Sequence, residues 1–192
     1  MKDTISPLSI EALISNFSDV IAHKQYESIS ALLSSNQNSF EVHFLDASYH
    51  AEQNDYMRAK NAFLRSLNIN PQFHIARFQL CFLALLNEDF DTLNSHIEQL
   101  LMLGEDNYLA TFAKALVNIF QDNTEQAKEL LTEGILLNDE NLALNENMNQ
   151  LLYMLSEELH DTSSQPEVEN IESDLSSSKN SILLDIYNNK FN

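Results

Sequence analysis

The sequence predicts an all-α protein built as a helical solenoid, and three observations carry that expectation. Helix breakers are scarce: 192 residues include two Gly, three Pro and no Trp, while Leu, Ala, Glu and Gln, all good helix formers, occur throughout. With 44% of its residues hydrophobic, the chain has enough apolar surface to build a core. Apolar positions also recur at one fixed step, with Ala59, Leu93 and Ala127 lying 34 residues apart. Phe63, Ile97 and Leu131 keep that step, as do Leu67, Leu101 and Ile135, and Ile69, Leu103 and Leu137. A helical period of this length denotes one helix–turn–helix unit per repeat, each unit burying its apolar face on the next.

Residues 1–39 form the first element, a degenerate helix pair. Ile10, Leu13, Ile14, Phe17, Val20 and Ile21 fit an amphipathic helix, with Ser9 placed to cap it. A second helix runs around Tyr26 to Leu33. Its Lys24-Gln25-Tyr26 start resembles the later Asn54-Asp55-Tyr56 turn, but at a step of only 30 residues. End repeats of solenoids are atypical because one of their faces meets water.

Residues 40–139 hold three full units, 40–71, 72–105 and 106–139. Each has a first helix rich in Phe and Leu, a polar turn (Gln53-Asn54-Asp55, Asn87-Glu88-Asp89, Gln121-Asp122-Asn123) and a second helix. Residues 140–160 make one more helix with Leu144, Met148, Leu151, Leu152, Leu155 and Leu159 inward, a cap for the open end. The composition of 161–181 turns to Ser, Asp, Glu and Asn and reads as a disordered acidic linker. The segment 182–192 is apolar again, with Leu183, Tyr187 and Phe191 on one helical face. Docking in cis as a plug in the groove, docking in trans on another assembly, and packing on the cap all remain open for it.

The units resemble the tetratricopeptide repeat, over residues 40–139. The likeness is best in the second helices, where Ala59, Phe63, Ser66 and Pro71, and then Ala127, Leu131 and Gly134, stand at the family's small, large, small and terminal positions. The middle unit departs from the pattern with Leu93 and Leu100. In the first helices the small position falls on Ala47, Cys81 and Ala115, but the large core position falls on His43, Arg77 and Thr111. A one-residue shift places Phe44, Phe78 and Phe112 there instead. In one register these Phe line a concave groove, and in the other they are core. Burying a side chain of that size is worth roughly 1.5–3 kcal/mol, which favours the core register. The resemblance implies a protein-binding groove on the first helices, with Leu83, Leu86, Leu116 and Phe120 as apolar anchors beside Phe78 and Phe112.

The formal charge is −19, from 29 acids and 10 bases, and Glu129 to Ser178 contains no Lys or Arg. Such a surface repels nucleic acid and anionic membrane, since phosphate contacts need cations. The apolar run Cys81 to Leu86 is far too short to span a bilayer, and the start MKDTISPLSIEALISNF shows no secretory pattern, so a cytoplasmic protein without membrane insertion is expected. Cys81, among Leu80, Phe82 and Leu83, reads as a small core residue.

No catalytic residue, metal or cofactor is expected. His23, His43, His50, His74, His96 and His160 lack zinc-site spacing, and no Gly-rich phosphate loop or nucleophile–base set is visible. A clamp for a terminal carboxylate needs several converging donors, and only Lys114 stands at such a position. The expected partner is a protein or peptide with apolar anchors, and the open ends are compatible with self-association. A small acidic secretion chaperone is similar in length, charge sign and repeat number. An enzyme's regulatory subunit is the alternative of another class.

Overall fold

The computed structural model describes residues 26–161. The first expected helix, the linker beyond Asp161 and the segment 182–192, with Leu183, Tyr187 and Phe191, lie outside the described residues. Within them the secondary structure is helical throughout: α1 (Tyr26–Ser35), α2 (Phe40–Glu52), α3 (Tyr56–Ile69), α4 (His74–Leu86), α5 (Phe90–Leu101), α6 (Tyr108–Phe120), α7 (Thr124–Leu137) and α8 (Leu142–Asp161). The expected cap helix starts two residues later than the periodicity suggests. The chain divides into two compact units, one up to Leu83 and one from Ala84 onward.

The polar turns are built alike. Asn54, Glu88 and Asp122 take left-handed backbone angles, φ 57°, 55° and 60°. After each, the next N–H closes the helix by reaching back five residues: Asp55 to the His50 carbonyl (2.9 Å), Asp89 to Ala84 (2.9 Å) and Asn123 to Asn118 (2.8 Å). These bonds satisfy carbonyls that a helix end leaves unpaired. Two of the same residues then open the next helix. The Asp55 carboxylate accepts from the Arg58 N–H and that of Asp89 from the Thr92 N–H, whereas Asn123 makes no side-chain cap bond. One residue therefore ends a helix and starts another, which keeps the turn short.

The connections between hairpins keep the same step. Ser39, Phe73 and Asn107 donate their N–H to the carbonyls of Asn36, Asn70 and Gly104, at 3.0, 3.1 and 3.4 Å. Asn141 instead donates to the Asn138 side chain at 2.9 Å. Ser39 and Asn107 cap α2 and α6, and Asn141 caps α8 through the Leu144 N–H. The buried Asn138 also donates to the Asn141 carbonyl and to Asn145 Oδ1. A fully satisfied amide at this point ties the end of α7 to the start of α8.

In the first unit α2 packs on α1 and α3. Ile29, Leu32, Val42, Leu45 and Tyr49 form one apolar cluster. In the second unit α6 packs on α5 and α7, and α8 closes on α7. Gly134 of α7 lies directly on the Phe112 ring of α6. At the matching position of the first unit, Ser66 of α3 donates its hydroxyl to the Phe40 carbonyl of α2 at 2.8 Å. A small residue at this place lets the two helices of a hairpin approach closely.

The helices differ in burial by position in the hairpin. No residue of α2 or α4 is exposed, and in α6 only Phe120 is. In α3, α5 and α7 exposed and buried residues alternate around the helix, as on an amphipathic surface helix. Both candidate registers of the first helices are thus largely buried at once, with Phe44 half-buried. His43, Arg77 and Thr111 are core, and so are their neighbours Phe78 and Phe112.

Candidate functional site

The anchors expected to line a groove are mostly interior. Phe78, Phe112 and Leu116 are 0% exposed, Leu86 2% and Leu83 4%. Side chains this deep offer no surface to a partner, so the expected lining by these five is corrected to core. For Phe112 and Leu116 the physical reason is that α6 packs on both α5 and α7, which makes its apolar residues packing groups. Phe120 is different: it is 43% exposed and its ring lies 4.8 Å from that of Phe90, itself 38% exposed. Two open, touching aromatic rings at a helix end form an apolar contact point on the second unit.

The polar residues among the core Phe have structural partners. His43 Nε2 bonds the Gln37 carbonyl at 2.9 Å, and Arg77 donates to the Pro71 carbonyl at 2.6 Å. Gln37 and Pro71 are themselves 34 residues apart. Both side chains reach back six residues to hold the connection that precedes their helix. Thr111 is too short for that reach and donates to the Asn107 carbonyl instead. Burial lowers the Arg77 pKa, and burial next to Arg77 lowers that of His74.

A second polar group lies where α1 meets α2. Asp46 Oδ1 accepts from the Tyr26 hydroxyl at 2.9 Å and stands 3.4 Å from His50 Nε2. The Tyr26 ring packs on Tyr49 and on His50 at 4.9 and 5.2 Å between centroids. Burial, then the Asp46 carboxylate, push the Tyr26 hydroxyl up to about 12. A phenol held that firmly protonated is a hydrogen-bond donor rather than a base, and the cluster reads as a fastening. Cys81 is buried, and burial pushes its thiol up to about 12, which makes it a poor nucleophile. Among the described residues no group of His, Cys, Asp or Glu is placed to hold a metal ion.

The first unit also carries an open cleft of about 530 Å³. Its walls come from the end of α1 (Leu33), the connection (Gln37, Asn38), His43 of α2 and the last turns of α3 (Arg65, Asn68, Ile69). It is open to solvent, with Gln37, Asn38, Arg65, Asn68 and Ile69 all exposed. No short motif marks it, because its residues come from two stretches of chain, 33–43 and 65–69.

Among the described residues no helix is long and apolar enough to cross a membrane. Comparison with protein families, with curated proteins and with solved structures finds no match for this chain.

Proposed function

We propose that the protein is a non-enzymatic binding module of tetratricopeptide-like hairpins that holds a segment of another protein. The observation that carries this reading is the turn repeated at Asn54, Glu88 and Asp122, with the same left-handed residue and the same five-residue closure each time. Repetition of one hairpin is how helical arrays build extended recognition surfaces. The apolar contact point is Phe120 with Phe90, since the other expected anchors are core. Exposed aromatic pairs of this kind serve as anchors in protein interfaces.

The test is affinity capture from native lysate with wild type beside Phe120→Glu, with mass spectrometry of bound proteins and circular dichroism of both baits. A partner retained by the wild type and lost in the variant, with both baits equally helical, supports the reading. Retention of the same partners by both baits would place recognition away from Phe120. Capture of no protein by either would remove the binding-module reading itself.

A further inference from the structure

The charge of this chain is unevenly distributed, and the cleft of the first unit sits in its least acidic part. From Tyr26 to Leu83 there are four bases (Arg58, Lys60, Arg65, Arg77) and five acids (Glu27, Glu41, Asp46, Glu52, Asp55), a net of 4 − 5 = −1 against −19 for the whole chain. The cleft lining contains Arg65 and no carboxylate. Arg58 is paired with Asp55, and Arg77 is buried against the Pro71 carbonyl. Arg65 is exposed and makes no ion pair among the described residues. The Glu41 carboxylate, which accepts from the Ser39 hydroxyl beside Asn38 at 2.6 Å, is not part of the lining.

The rest of the lining is matched to a peptide. Gln37, Asn38 and Asn68 carry carboxamides, each of which both donates and accepts, as a peptide unit requires. Leu33 and Ile69 give the same cleft an apolar wall. His43 is a positioning residue: its bond to the Gln37 carbonyl holds the connection that supplies Gln37 and Asn38. We infer that this cleft binds an acidic peptide segment, with a carboxylate side chain on the Arg65 guanidinium and peptide groups on the three carboxamides. The inference deepens the binding-module reading by naming a ligand chemistry, and it rests on that reading.

The probe is a fluorescein-labelled peptide of alternating glutamate and leucine, titrated with the full chain and followed by fluorescence anisotropy. Its counterpart has glutamine for every glutamate. The glutamate peptide should bind saturably and weaken about tenfold in Arg65→Gln, the loss expected for one charge-assisted hydrogen bond. Lys114→Gln, which removes a cation outside the cleft, should leave its affinity unchanged. Binding should also weaken between about 50 and about 300 mM NaCl. Arg65 is exposed, so its variant keeps the fold, and circular dichroism checks this. Equal binding of the two peptides, unchanged affinity in Arg65→Gln, or no saturable binding would overturn the inference. In those cases a lysate partner that still depends on Phe120 would leave the module reading standing and remove the cleft alone.

Discussion

Replacing Gly134 with alanine sets two opposing effects against each other, and the structure decides the sign. Gly134 lies inside α7, where Ala is favoured over Gly by about 1 kcal/mol from helix propensity. An added Cβ would fall 2.5 Å from Phe112 Cδ1 and 3.2 Å from Cζ, far inside van der Waals contact. The ring cannot swing away freely, because Phe112 is fully buried. Forcing a carbon into a packed core costs typically about 1–3 kcal/mol. Gly134→Ala should therefore destabilise the protein by about 1 kcal/mol net, with Gly134→Val worse because branching adds both strain and volume. Urea unfolding followed by circular dichroism reads this as a lower midpoint at constant slope. Phe112→Leu supplies the control: it is costly alone, but in its background Gly134→Ala should become neutral or stabilising, a coupling of about 1 kcal/mol or more. A Gly134→Ala protein more stable than wild type, or one indifferent to Phe112→Leu, would show that α6 and α7 do not pack as described.

Two further outcomes follow from the turns and from the α1 fastening. Asp89→Ala should cost about 1 kcal/mol or somewhat more, since it removes a cap to the Thr92 N–H and a bond to the Thr92 hydroxyl, while Asn123→Ala, with no cap bond to lose, should stay within about 0.5 kcal/mol of wild type. Thermal unfolding of the two variants side by side checks the contrast, and equal losses would refute it. The raised Tyr26 pKa makes stability depend on alkaline pH. Between 10.0 and about 12 the unfolded phenol ionises while the folded one stays protonated, so stability present below pH 10 is lost as pH rises through the folded value. Cys81 and Tyr108 are shifted in the same direction. A comparison of wild type with Tyr26→Phe isolates the Tyr26 part: the variant should lose less stability over that window, and parallel curves would discount the Asp46 bond.

Much of the fold was legible because a repeated helical hairpin leaves a periodic trace. The helical character followed from the scarcity of Gly and Pro, and the three polar turns sit where the 34-residue step puts them. The start of α1 shows the limit of reading such a step. Tyr26 is out of phase, yet Ile29 and Leu33 stand one step before Phe63 and Leu67, and Asn36 one step before Asn70. Only the start of α1 departs from register; its end keeps it. The first-helix register was posed as a choice between His43, Arg77 and Thr111 on one side and Phe44, Phe78 and Phe112 on the other. That choice disappeared because polar side chains can be core when a backbone carbonyl is within reach, as at Gln37 and Pro71.

Sequence alone determined that this chain is helical, repetitive and acidic, since composition, period and charge are local or additive properties of a string. Tertiary structure alone decided which apolar residues are surface. Leu86 and Phe120 hold matching places in consecutive first helices, yet one is sealed and the other open. Burial depends on what lies across from a side chain, and in a helical protein that neighbour comes from another element. The cleft around Arg65 has the same origin: residues 33–43 and 65–69 are separate in the chain, and folding alone gives them a common wall.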